Sequence, residues 1–357
     1  MPFDTAASPS LPQARSGARP VAIWLFALCA MVLVMVTLGG ATRLTGSGLS
    51  IMEWAPIMGA LPPMSQAEWE RLYDLYTKIP QYALVNQGFG LEGFKGIFWL
   101  EWTHRLWGRL MGVAFAGPLL WFAVRGRIDR RLALRLFGLL VLGGLQGVVG
   151  WVMVASGFEA DRTAVSPYRL VAHLGLAVGL YAALLWMALD LWRRDARTEV
   201  MAGAPLRWAV GAVTGLVALT MLAGGFVAGL KAGLTYNTFP LMDGKLVPDG
   251  YLSLRPAWLN LFENVGAVQF DHRLLATVTG LATLGTVFYG MRRSAGTVRT
   301  ALHWLGMAVV AQYALGVATL LYVVPVGLGA LHQAMAMLVL TAALVSLHLV
   351  RARRGTT

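Results

Sequence analysis

Cysteine is nearly absent from this sequence: of 357 residues one, Cys29, carries a thiol. An intramolecular disulfide cannot form, and a thiolate-held metal cluster is excluded. Charge is scarce as well. Asp, Glu, Lys and Arg together make up 13% of the chain, against about 25% in an average soluble domain. Acidic residues are the rarer sign, 17 against 29 basic, which leaves a net charge of +12. Missing too is the apolar/polar alternation that marks the strands of a membrane barrel. Histidine occurs six times, so the placement of each one carries weight.

What fills the chain is apolar: 57% of residues are hydrophobic. They fall in eight blocks, at roughly 20–40, 104–124, 136–156, 169–192, 208–230, 270–290, 301–323 and 327–350, each near the ~20 residues that cross a bilayer as a helix. Spanning backbone must satisfy its own hydrogen bonds, which points to an α-helical bundle. The arginines sit in clusters: Arg15 and Arg19 before the first block, then after the second, fourth, sixth and eighth. With eight crossings all of these fall on one side. The positive-inside rule makes that side cytoplasmic, with both termini there and the acidic residues mostly opposite. Distributed in this way, the positive charge is an orientation signal and not a nucleic-acid patch. The polar segment 1–19 is expected to be disordered, and residues 351–357 to form a cytoplasmic tail. The first block reads as a retained span, and a bacterial inner membrane as its location.

Four of the six histidines open apolar blocks at the end of the membrane opposite the arginines. They are His104 in EWTHRLWGR, His173 in YRLVAHLGLA, His272 in VQFDHRLLA and His332 in GALHQAMA. Their positions repeat. The first block runs out through Gly39-Gly40 and the fifth through Gly224-Gly225. His104-Arg105-Leu106 matches His272-Arg273-Leu274, Gln146-x-x-x-Gly150 matches Gln312-x-x-x-Gly316, and His173 matches His332. Matches in one order across four segments indicate tandem duplication. The expected fold class is therefore an all-α membrane protein of eight transmembrane helices in two tandem pseudo-symmetric four-helix bundles, residues 20–200 and 201–350. Each half offers one histidine on its second span and one on its fourth. Imidazoles at one depth in a bundle can hold a planar metal cofactor from both faces, as axial ligands of haem do. His303 and His348 have no repeat partner and read as interfacial bystanders at the other end.

The halves differ at one position. Glu101 precedes His104 by three residues, about 4.5 Å of helical rise on nearly the same face. The matching residue of the second half is Gln269, which cannot ionise. A carboxylate at the membrane edge is a functional candidate by default, and pairing with Arg105 one turn on is compatible with that. Arg43, Arg105, Arg109 and Arg273 lie near the same surface and are candidates for haem propionates, Arg105 and Arg273 being repeat-equivalent. In the long first external connection, Ser65-Gln-Ala-Glu68 is a capping box ahead of an apolar stripe. It predicts a surface helix that either covers the first site or packs against the bundle.

The runs GGATRLTGSGLSIMEWAPIMGALPP and GFKGIFWLEWTHRLWGR, continued through the His173, His272 and His332 segments, resemble haem A synthase of the proteobacterial and mitochondrial kind. The resemblance extends over all eight spans. It implies oxidation of the C8 methyl of haem O to a formyl group by successive hydroxylations, giving haem A for terminal oxidases. It also implies that His104 and His173 ligate the substrate haem O, that His272 and His332 ligate the iron of a haem B cofactor, and that Glu101 is the catalytic carboxylate. Expected partners are haem O, haem O synthase, cytochrome oxidase assembly factors and membrane lipid, and Gly-rich faces such as Gly143-Gly144-x-x-Gly147 could pack within the chain or against a second copy. Some bacterial members carry a cysteine pair in an external loop. This chain has none, so no disulfide-dependent role carries over. A di-haem b-type electron carrier, or a haem-handling transporter or chaperone, would use the same histidines. A carrier would usually set its haems near both surfaces, whereas these four lie near one.

Overall fold

The computed structural model describes residues 18–160, 162–193 and 202–351. The expected tail after Arg351 and most of the expected disordered N-terminus lie outside these residues, although Ala18 and Arg19 already belong to the first helix. In chain order the helices are α1 (Ala18–Leu44), α2 (Gln66–Thr77), α3 (Pro80–Leu84), α4 (Gly90–Val124), α5 (Arg130–Ala155), α6 (Pro167–Trp192), α7 (Ala204–Gly229), α8 (Val265–Met291), α9 (Gly296–Leu321) and α10 (Val326–Arg351). All but α2 and α3 are long and apolar enough to cross a membrane, which makes the chain a multi-pass, all-α membrane protein. Among the described residues there is no β-strand.

Local sequence explains where several helices begin. Ser65 caps α2 by accepting from the Glu68 amide at 3.2 Å. Asp129 caps α5 and Asn264 caps α8 in the same way, while α6 and α7 carry proline in the first turn, where a missing N–H costs nothing.

The second span departs from expectation. It starts at Gly90, well before the apolar block at His104. Phe94, Ile97 and Phe98 form a helical stripe on this projecting stretch of nearly four turns, and they pack with Leu72 and Tyr76 of α2 and with Leu49. Trp69 of α2 lies edge-on to Phe98, ring centres 4.8 Å apart. The surface helix therefore rests on the outer end of α4, and tertiary contact rather than lipid sustains the helix there.

α1, α6, α7 and α10 pack against one another at the centre; α4 and α5 flank the first two, α8 and α9 the last two. α5 accordingly has an unburied spanning window, with Phe137, Val141 and Leu145 exposed to lipid, whereas more than half of the α10 window is buried. Polar contacts tie the two halves along the central seam. Arg43 donates to the Ala228 carbonyl (2.6 Å), Gln333 to Val36 (2.9 Å), Tyr181 shares a hydrogen bond with Thr341 (2.6 Å), and His348 bonds Asp190 (2.8 Å). The last contact corrects one expectation. His303 is exposed, as an interfacial residue should be, but His348 is 8% exposed, lies edge-on to Trp186 and joins α10 to α6.

Candidate functional site

Each of the four histidines lies against a glycine of the neighbouring helix. A Cβ on Gly39 (α1) would stand 3.0 Å from Cε1 of His104 (α4), and one on Gly150 (α5) 2.9 Å from Cε1 of His173 (α6). In the second half Gly224 (α7) stands 3.0 Å from His272 (α8) and Gly316 (α9) 2.8 Å from His332 (α10). Real Cβ atoms essentially never come under 3.0 Å and seldom reach 3.0 Å, so at each glycine the ring occupies space that a side chain would contest. All four Nδ1 atoms are buried with no hydrogen-bond partner among the described residues. His104 and His173 lie within electrostatic range of each other, as do His272 and His332. Gln146 steadies the first pair by donating to the His173 carbonyl at 2.9 Å, with the same nitrogen 3.4 Å from His173 Nε2.

This donor set is two imidazoles per half. Among the described residues no group of three or more His, Cys, Asp or Glu could hold a bare metal ion. Two axial nitrogens do suffice for haem iron, because the porphyrin supplies its other four donors. Buried imidazoles with an unused nitrogen, set in pairs between helices, fit that group.

Glu101 and Gln269 occupy matching places and are each 2% exposed. Their partners differ. Glu101 Oε2 accepts from the Ser50 amide (2.7 Å), the Ser50 hydroxyl (2.7 Å) and the Ile51 amide (2.9 Å). Its Oε1 accepts from Nε and Nη2 of Arg105 at 3.1 and 2.6 Å. Gln269 instead donates to the Tyr236 carbonyl at 3.0 Å and leaves its own oxygen buried without a partner.

The arginines clamp loops. Arg105 donates to the carbonyls of Ile51 and Glu53, and Arg273 to those of Tyr236 and Thr238, so repeat-equivalent guanidiniums hold equivalently placed backbone. Arg109 holds Ala55 and Pro56; at the matching position Thr277 bonds Tyr313 instead. Trp54 of the same loop packs on Trp151 of α5, with ring centres 5.6 Å apart, and thereby carries the loop across to the next helix. Arg43 is spent on the seam between the halves. Two donors stay buried and unclaimed, Arg109 Nη1 and Arg273 Nε.

Two groups of site residues escape a reading by residue type. Ser50 is an unremarkable loop serine in sequence. The four glycines stand within the repeated Gly-Gly and Gln-x-x-x-Gly patterns, which show them as repeated but not as the backing of a ring.

The family model described as "Cytochrome oxidase assembly protein" matches residues 22–344. A protein of Granulibacter bethesdensis named "Heme A synthase" is 63% identical over 93% of this chain and 87% of its own length. Proteins of the same name from Rhodospirillum centenum and Nitrosospira multiformis are 50% and 49% identical, covering 96% and 91% of this chain and 92% of each relative. The chain belongs to the haem A synthase family. Within this haem A synthase family match, which runs from α1 into α10, lie all four histidines, their four glycines, Glu101 and Gln269.

Proposed function

We propose that the protein is a haem A synthase, oxidising the C8 methyl of haem O to a formyl group by successive hydroxylations. The observation that carries the reading is the pair of like-built two-histidine sites, one beside a carboxylate and the other beside an amide, in a chain so similar to relatives of that name. The first half, 20–200, is the substrate half: His104 and His173 would hold haem O. The second half, 201–350, is the cofactor half: His272 and His332 would hold haem B. A haem bound there supplies one-electron transfer.

The chain's own residues hold and orient. The glycines fix each ring against its neighbouring helix, so a planar group between the imidazoles meets preset faces. Glu101 accepts from five donors, which already exceeds the roughly four lone-pair sites of a carboxylate. Its part in methyl oxidation is therefore electrostatic: a fixed negative charge that stabilises cationic character developing near His104. The unclaimed nitrogens of Arg109 and Arg273 are the donors left for propionates.

The arginine clusters support a bacterial inner membrane, both termini in the cytoplasm and the histidines on the periplasmic side. Haem O synthase, oxidase assembly factors and a second copy of the chain are the protein partners proposed. The test is expression in a host that makes haem O but lacks haem A synthase, followed by extraction and chromatography with mass detection. Haem A or its hydroxymethyl precursor is expected. Unmodified haem O on protein loaded with haem B, with an electron donor shown to be present, would overturn the reading in favour of a carrier or chaperone.

A further inference from the structure

At the end of the bundle away from the four histidines, α6, α7 and α10 do not close on one another. They leave a cavity of about 580 Å³ that opens sideways to the lipid. Gly179 and Ala182 of α6, Gly211 and Gly215 of α7, and Leu340 and Leu344 of α10 line it. A Cβ placed on Gly179 or Gly215 would meet nothing within 4 Å, so the missing side chains are what hollow the groove out. It belongs to neither histidine pair. His173 on α6 turns towards Gly150 of α5, Gly224 on α7 faces His272 of α8, and His332 on α10 turns towards Gly316 of α9.

The groove is amphipathic along its length. Its inner part is glycine, alanine and leucine; its outer end is Arg351, whose Nη2 would stand 3.6 Å from a Cβ on Gly211. Arg351 is exposed, and among the described residues it makes no ion pair. Trp208, 75% exposed, stands at the lip as interfacial aromatics do. From Leu340 to Arg351 α10 rises about 16 Å at 1.5 Å per residue, roughly one leaflet of a ~30 Å hydrocarbon core. The cavity thus spans from mid-membrane to the surface, the reach of one acyl chain, with the Arg351 guanidinium lining it at the level of the phosphates. Basic pockets between spanning helices take anionic headgroups in this way.

We propose that the groove between α6, α7 and α10 is a binding site for an anionic phospholipid, one acyl chain filling the space over Gly179 and Gly215 and the phosphate meeting Arg351. Because α6 comes from the first half and α7 and α10 from the second, the lipid fills the gap in the seam that protein side chains leave open.

The test is native mass spectrometry of the purified full-length protein, delipidated in detergent and titrated with phosphatidylglycerol or phosphatidylcholine of identical chains. Wild type is expected to retain one phosphatidylglycerol in preference to phosphatidylcholine. Arg351→Gln is expected to weaken phosphatidylglycerol retention ~5-fold, the effect of one cation near a headgroup, and to leave phosphatidylcholine unchanged. Gly215→Leu should abolish retention of either lipid, and Gly179→Leu, which fills the same space from the other wall, should do likewise if the first variant folds poorly. Equal retention of the two lipids by wild type, or phosphatidylglycerol retention that survives both Arg351→Gln and the leucine variants, overturns the proposal.

Discussion

At Gly316 a single methyl group would stand 2.8 Å from the His332 ring. Well-packed interiors resist such insertions at a cost of about 1–3 kcal/mol, and here the ring is what must move. Gly316→Ala is therefore expected to lower haem B content several-fold and to alter its absorption spectrum. Gly150→Ala should leave haem B in place and slow haem A formation. A Gly316→Ala protein with normal haem B content and spectrum would show that the ring has slack. Glu101 poses the opposite problem, a buried charge with many partners. Replacing it by glutamine leaves Arg105 without its counter-charge, and breaking a buried pair costs about 3 kcal/mol or more. Glu101→Gln should melt at lower temperature, retain both haems and stop before the aldehyde. Undiminished haem A from that variant would end the catalytic assignment.

Among elements, the loop between α1 and α2 has its own electrostatic clasp. Arg71 pairs with Glu53 and Glu68 at 2.8 Å each. Its hydrogen bonds hold both carboxyls below the ordinary glutamate range, against a smaller opposing effect of burial. A depressed carboxyl stabilises the fold above its unfolded value and loses that contribution as pH falls through the folded one. Amide protection over residues 51–71, taken relative to intrinsic exchange at each pH, should therefore fall below about pH 4, and Arg71→Gln should abolish that fall. Protection that stays constant across this pH range in the wild type would mean the clasp adds nothing to loop order. The clasp acts on the strap that Glu101, Arg105 and Arg109 pin to α4, so loosening it tests whether strap order reaches the first histidine pair.

Across the whole molecule the two halves meet along α1, α6, α7 and α10, and the His348–Asp190 contact of the seam lies well away from the histidines. Asp190 is 60% exposed, so solvent screens the pair and its worth is ~1 kcal/mol. His348→Ala should lower the melting temperature slightly and leave haem A formation intact. A loss of activity at full haem content would instead show that the seam transmits strain to the sites.

Eight spans and the matched histidines were legible in the sequence. Apolar block length, arginine placement and repeated motifs are local properties, and a bilayer rewards them residue by residue. The asymmetry of Glu101 and Gln269 was visible for the same reason, as a difference between aligned positions. Local patterns do not say what lies across the helix interface. α4 runs out to Gly90 because α2 comes to pack on it, a contact between segments separated by a loop. His348 is buried because Trp186 and Asp190 arrive from another half of the chain. The partners of Glu101 are loop amides some fifty residues away, and each imidazole's bed is the missing side chain of a glycine on a different helix. Only packing brings these together, so only the tertiary structure decided how the candidate residues are held.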